Sequence, residues 1–422
     1  MKRWLRRFTW SGHSVGILAF LLLFPGFFFY HTLLGLGLTR AFLGGYFAPV
    51  SLLMGLPLCF FYAYKVRRDQ SQLGLPDVCF GLYVAYFLVV VAIQAAADAN
   101  PAIIGNHLLG VLFLVNMYFM FRLTDFSRAE VRFAVLASLA AMSAIVFAYS
   151  VDGAFYLAPQ GAARNPESLA TYQGFSRSYL VTFVAAIAYC RSRSLRVLLY
   201  CLAAPTLFVN TARSEFAAMM FLVPIIEIYY AKRKMAFTAV LVLLFILVYA
   251  NLEQLLAMLP DNRILELLDL SQSTSANKRH HLSVYAWNTI TQFPIFGDYA
   301  SYTPGFYSHN VLSAWVDTGF FGFIFVLALV LVPTGQMLIR GYFLRKQTEI
   351  FILAFSFACI TILLLINAHY FTDMLIGATL GSYSKYRYGR KHGQHRPPDI
   401  RPSAPRHPDL HQAVPQAGAA RA

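Results

Sequence analysis

Residues Gly16–Phe29 read Gly-Ile-Leu-Ala-Phe-Leu-Leu-Leu-Phe-Pro-Gly-Phe-Phe-Phe, with no charge and no alternation of apolar with polar positions. Ala239–Ala250 (Ala-Val-Leu-Val-Leu-Leu-Phe-Ile-Leu-Val-Tyr-Ala) behaves the same way. A strand of a membrane barrel alternates over segments of about ten residues. A helix crossing ~30 Å of hydrocarbon at ~1.5 Å per residue needs roughly 20 predominantly apolar residues. Runs of that second kind recur along the whole chain, so the expected fold is all-α, a polytopic transmembrane helix bundle.

The 422-residue composition agrees. It is 58% hydrophobic and only 13% charged, against about 25% charged in soluble domains, too little charge to cover a water-facing surface. The net charge of +15 calls for no nucleic-acid partner, because the basic residues form short clusters between apolar runs, as topology signals do. The first apolar run is followed by many others and reads as a span rather than a cleaved signal peptide. Cys59, Cys79, Cys190, Cys201 and Cys359 fall in or at the ends of apolar segments without CxxC spacing, which supports neither a disulfide framework nor a metal site.

The expected spans are 14–34, 44–64, 78–97, 102–121, 131–150, 176–190, 195–210, 214–231, 235–256, 309–333, 348–367 and a short one near 370–385, about twelve in all. Residues 1–13 precede this 14–385 membrane domain and 386–422 follow it. With the N-terminus in the cytoplasm, alternate loops hold Lys65/Arg67/Arg68, Arg122/Arg128/Arg132, Arg191/Arg193/Arg196, Lys232/Arg233/Lys234 and Arg340/Arg345/Lys346. That is the positive-inside arrangement of a bacterial inner-membrane protein with both termini inside. Two long connections, about 151–176 and 257–308, then lie outside, in the periplasm, and the second carries helix-compatible pieces that mark it as ordered. The Pro-, His- and Ala-rich tail from Gln394 reads as a disordered cytoplasmic segment. No internal repeat is visible.

Positive charge on the outer side works against the orientation bias, which makes Arg40, Arg164, Arg177, Arg213, Arg263, Lys278 and Arg279 the anomaly. Arg213 opens a span in Asn-Thr-Ala-Arg-Ser-Glu. Arg279 begins an amphipathic stretch in which Leu282, Tyr285, Ala286, Ile290 and Phe293 follow a helical period, with Val284 and Trp287 off the stripe. Asn310 is placed as an N-cap of the next span, putting His309 at the positive end of a helix dipole, which favours the neutral ring of a general base. Arginines at headgroup depth suit a lipid-linked pyrophosphate, because a guanidinium binds phosphate oxygens and stabilises a departing phosphate. Headgroup anchoring for the arginines and a structural role for His309 are the competing readings. Glu215, Glu227, Glu253, Asp317 and Asp373 fall near expected span ends, within reach of water.

Pro294-Ile-Phe-Gly297, then His309-Asn310, then Gly319 and Gly322, together with Ala212-Arg213-Ser214 and Arg279, resemble the O-antigen polymerase and O-antigen ligase superfamily. The resemblance is concentrated in residues 172–322. It implies a GT-C-like membrane fold and cofactor-free, metal-independent glycosyl transfer from a polyprenyl-diphosphate-linked glycan donor. By position it implies Arg213 and Arg279 as catalytic diphosphate ligands and His309 as base. Arg177, Tyr172 and Asn310 are implied as further contacts to diphosphate or sugar. The acceptor is a lipid-linked glycan for a polymerase of O-antigen, capsule or exopolysaccharide, or lipid A–core for a ligase. Gly-Phe-Tyr-Ser-His-Asn and the short stretch between Arg279 and His309 resemble polymerases more. Membrane lipid and a chain-length regulator are the other expected partners. A transporter or flippase for a lipid-linked glycan is the alternative of another class, disfavoured because the basic residues stop at span ends.

Overall fold

The computed structural model of the protein describes residues 11–40, 45–151, 153–155, 172–251, 254, 264, 274–344 and 347–389, without the side chains of residues 172 and 274–276. Arg164, Glu253, Arg263, Arg345, Lys346, the N-terminal Lys2, Arg3, Arg6 and Arg7, and the tail lie outside the described residues.

Helices occupy each of the twelve apolar stretches. They are α1 (Gly12–Gly35), α2 (Phe47–Arg68), α3 (Leu75–Ala96), α4 (Pro101–Leu123) and α5 (Ala129–Ala148), then α6 (Tyr172–Ala188), α7 (Arg193–Val209), α8 (Arg213–Tyr230) and α9 (Lys234–Ala250). After the amphipathic α10 (Thr274–Gln292) come α11 (Leu312–Tyr342), α12 (Glu349–Asn367) and α13 (Met374–Tyr388). Seven of them, α1 to α5, α11 and α12, are long and apolar enough to cross a membrane, and α9 is a shorter apolar helix of 17 residues. The chain is a multi-pass helical membrane protein. A single hairpin, Ser150–Val151 against Ala154–Phe155, starts the first long connection.

Local chemistry fixes many of the boundaries. Ser11 accepts from the Ser14 N–H to cap α1, Asn100 accepts from Ala102 N–H before Pro101 opens α4, and Asp373 accepts from Leu375 N–H at 2.8 Å to cap α13. Pro25 removes a donor from α1, and the helix widens there into a π-turn over Leu22–Gly26.

Packing follows the membrane rule that small residues admit close backbones. α13 lies along α4 with Gly377 and Gly381, one turn apart, facing it. A Cβ on Gly377 would come 2.0 Å from the Leu114 carbonyl oxygen, and one on Gly381 2.5 Å from that of Tyr118. α9, in contrast, has no buried residue and is fixed at its start by Lys234, which donates to the Tyr342 carbonyl.

Three of the carboxylates expected near water are internal. Asp317 and Glu215 are buried and Asp373 nearly so, while Glu227 pairs with Arg196 at 2.6 Å. Arg122 and Arg196, counted above among the cytoplasmic cluster, are also buried. Arg122 donates to Asp77 at 3.0 Å, and Arg196 lies 3.9 Å from the Tyr230 ring centroid. A charge removed from water is stable only when paired or hydrogen-bonded; Arg122, Arg196, Glu215, Glu227 and Asp373 are in ion pairs, and Asp317 accepts hydrogen bonds alone.

Candidate functional site

The frame of the site is a break in α11. Gly319 takes φ 68°, ψ −174° inside the helix, so Val316 C=O and Phe320 N–H lose their helical partners. The Pro294-Ile-Phe-Gly297 turn supplies replacements. Asp298 N–H donates to the Val316 carbonyl at 2.8 Å and Phe320 N–H donates to the Ile295 carbonyl at 3.0 Å. Trp315 Nε1–H closes the joint on the Pro294 carbonyl at 2.7 Å. Gly297 also has positive φ, and a Cβ there would come 2.3 Å from the Val316 oxygen, just as one on Gly319 would come 2.1 Å from that of Ile295. The two glycines are therefore opposite halves of one backbone contact.

This joint seats α10 on the start of α11. Ala286 and Ile290 are buried against Val316, with Leu282 partly buried. Tyr285 and Phe293, expected on the same stripe, are about half exposed, no less than Val284 and Trp287 off it. Asn310 completes the link. Its side-chain oxygen accepts from Leu312 N–H at 2.9 Å, as a cap does, and its amide donates to Ser283 of α10 at 3.0 Å. That side chain is spent on structure and does not line the cavity.

Between α6, α8, α10 and the loop before α11 lies a cavity of about 460 Å³, within the range of roughly 300–1,000 Å³ usual for ligand sites. Arg213, Lys278, Arg279 and His309 line it together with Gln173, Thr211, Ser214, His281, Gly305 and Phe306. Arg213, Arg279 and His309, each from a different element, thus meet at one place. Among the described residues no carboxylate lines this cavity. Two further features favour an anion. α8 begins at Arg213 with no side-chain cap on Ala212 among the described residues, and Thr211–Ser214 at this helix start line the cavity. Thr211 is held at φ 62°, a strained setting for a β-branched residue of the kind that gathers at functional sites.

His309 lies outside the membrane-spanning segments. Burial, followed by the positive charge of Arg279 and by His369, lowers its pKa from the ordinary 6.5 to about 4. The ring is neutral at neutral pH and can take up a proton. Tyr307 packs on it with ring centroids 4.6 Å apart.

Arg177 is not at the cavity. It is buried below it, donating to Glu215 at 3.2 and 3.1 Å and to both oxygens of Asp373 at 3.0 Å. His369 lies 2.6 Å from the same guanidinium and 3.3 Å from Asp373. Glu215 also accepts from Ser214 at 2.6 Å. The cluster joins α6, the first turn of α8 and the α12–α13 connection, and so sets where Arg213 stands. Sequence reasoning took Arg177 as a ligand contact and left Glu215, His369 and Asp373 without a role; the spacing of His369 and Asp373, four residues apart, was the signal available. Tyr172 opens α6, and its side chain lies outside the described residues; Gln173 lines the cavity beside it.

A second buried cluster holds the 298–302 loop. Asp317 accepts from Ala300 N–H at 2.9 Å, from Tyr302 at 3.2 Å and from Tyr370. His107 links Tyr299 and Tyr370, at 2.6 Å each. These groups satisfy one another and build a wall rather than a reactive centre.

No family model matches the chain, and no curated protein matches it. What bears on function is the chemistry of the cavity.

Proposed function

We propose that this chain is an integral-membrane glycosyltransferase that polymerises polyprenyl-diphosphate-linked repeat units into O-antigen, capsule or exopolysaccharide. The observation that carries this is the convergence of Arg213, Arg279 and His309 on one cavity. A diphosphate seated at the uncapped start of α8 has two guanidiniums for its oxygens. His309, neutral and on the opposite element, faces the place where an acceptor hydroxyl would lie. In the reaction the bond between the donor's anomeric carbon and the diphosphate oxygen breaks, and its electron pair leaves with the phosphate toward Arg213 and Arg279. The acceptor oxygen forms the new bond to that carbon, and its proton passes to the His309 ring.

The full topology belongs to the same proposal. Twelve crossings in a GT-C-like arrangement place the termini in the cytoplasm of the bacterial inner membrane and the cavity on the periplasmic side, where a lipid-borne substrate is presented. The positive-inside clusters support this orientation. A transporter would carry its basic residues deep within spans lining a passage, whereas here the cavity cations stand at helix ends.

The test is transfer by the purified protein in lipid bilayers, supplied with lipid-linked repeat units, with and without lipid A–core. A ladder of products formed without lipid A–core is the expected outcome. Transfer only when lipid A–core is present reassigns the chain as a ligase, and no new glycosidic bond with an authenticated donor restores the transporter.

A further inference from the structure

The loop that carries His309 treats its two aromatic residues differently. Tyr307 is anchored, with its ring 4.6 Å from that of His309 and 4.8 Å from that of Tyr370. Tyr370 is in turn held by Asp317. Phe306, the residue before it, lines the cavity and is 62% exposed. Its backbone is fixed. Phe306 N–H donates to the Thr303 carbonyl at 2.9 Å, and Gly305 turns the chain at φ 86° with open space where a Cβ would be.

Some of the other exposed aromatics belong to an apolar span or adjoin one. Phe320 and Phe321 belong to the apolar span α11, and Phe296 adjoins them through the Ile295–Phe320 hydrogen bond. Phe306 instead shares its cavity with Arg213, Ser214, Lys278 and Arg279, where a phenyl ring gains nothing from hydrocarbon. A flat apolar ring exposed beside the cavity's cations suits a ligand that has both an apolar face and a polar rim. A pyranose is such a ligand: its axial C–H bonds present a weakly positive patch to the negative face of an aromatic ring, while its hydroxyls point outward.

The geometry points to Phe306 as the stacking platform for a pyranose of the acceptor, seated so that one hydroxyl reaches His309. The acceptor rather than the donor is named because platform and proton acceptor are three residues apart on one loop, while the cations for the donor's diphosphate come from α8 and α10. This inference rests on the glycosyl-transfer reading and adds the subsite it requires.

The experiment compares the full-length wild type with Phe306→Ala, Phe306→Leu and Phe306→Tyr, all in phosphatidylethanolamine–phosphatidylglycerol nanodiscs. One readout is saturation-transfer NMR with a panel of methyl pyranosides and with oligosaccharide repeats released from the host's surface polysaccharide. The other is KM for acceptor and for donor in the transfer assay. Loss of one aromatic contact predicts about a ten-fold rise in acceptor KM and a matching loss of sugar binding in both the Ala and Leu variants. Donor KM is expected to stay constant and Phe306→Tyr to behave as wild type. A Leu variant equal to wild type, or a change confined to donor KM, overturns the inference in favour of contact with the lipid chain. Unchanged binding and KM in Phe306→Ala overturn it outright, as does a wild type that neither binds sugar nor transfers it. Phe306-dependent sugar binding without any transfer would instead leave the subsite standing and remove the transferase.

Discussion

Two arginine settings lie one above the other in this protein. Arg177 has a carboxylate on either side and a histidine against its guanidinium, all drawn out of water. Arg213 and Arg279 border an open cavity together with Lys278 and, among the described residues, no acidic residue. A guanidinium already saturated by carboxylates has little left to offer a phosphate, whereas cations brought together around an open cavity create a positive potential that draws an anion to it. Arg177 therefore fixes the framework beside the cavity, and under the proposed function Arg213 and Arg279 would bind the diphosphate in it. The helix that carries Arg213 is what joins them, since Glu215 in its first turn is the ligand of Arg177.

The comparison breaks most sharply at Arg177. Arg177→Ala would leave Glu215 and Asp373 buried without their partner, a loss of about 3–5 kcal/mol for breaking a buried pair. The protein should disappear from the membrane or melt far earlier in a thermal unfolding assay in detergent. Neutralising the cage as well, with Glu215→Gln and Asp373→Asn, should restore much of the melting temperature. If Arg177→Ala melts as wild type does and loses only transfer, the division between the two settings is wrong.

Arg213→Ala and Arg279→Ala should give the reverse pattern. Under the proposed mechanism each would remove a charge that stabilises the departing phosphate, with an expected cost of about 10²–10³-fold in transfer rate by analogy with lost oxyanion donors. Membrane levels and melting temperature should stay at wild-type values, because these residues line a cavity rather than a packed core. Normal chain length in glycans made by either variant would take that residue out of the mechanism.

A smaller effect sharpens the geometry. Gly319→Ala places a methyl group against the Ile295 carbonyl and forces an L-residue to φ 68°, costing of order 1–3 kcal/mol in strain. The joint between the Pro294–Gly297 turn and α11 should loosen, and hydrogen exchange of the Asp298 and Phe320 amides should quicken. Exchange as slow as in wild type would show that the glycine pair is not what holds the turn.

Much of this was legible in the sequence, and the rest was not for definite reasons. Hydropathy gave the helices because lipid leaves no alternative to them. Arg213 and Arg279 stood out because in the expected topology their positive charge opposes the orientation bias, and His309 because it directly precedes the Asn310 cap. Arg177 stood out for the same reason as those two arginines and was assigned the wrong kind of contact. Its partners arrive from 38 and 196 residues away, and the spacing of His369 and Asp373 does not say which arginine they meet. The break at Gly319 was invisible because the apolar run continues through it. Phe306 was one phenylalanine among 38, distinguished only by what surrounds it.

The titration of His309 is a finer test of the upper setting. Its pKa lies below the ordinary value, at about 4, so the neutral base survives acidification well past pH 6.5. Transfer should hold level as pH falls through 6 and decline only toward the lowered value. Arg279 is one cause of the depression, so Arg279→Gln should move the histidine titration upward, measured by NMR of ring-labelled protein. A wild-type acid limb near pH 6.5 would mean that the ring is not enclosed beside Arg279 as described.

The smallest effect is expected at Arg40, an exposed arginine that the proposed topology also places outside and that does not line the cavity. If outer arginines served only as headgroup anchors, Arg40→Ala and Arg213→Ala would behave alike, since each would remove one surface charge. If the cavity selects, Arg40→Ala should leave transfer within about two-fold of wild type, as surface substitutions generally do, while Arg213→Ala abolishes it. Equal loss in both would argue for anchoring, and the cavity would then have no special claim on the diphosphate.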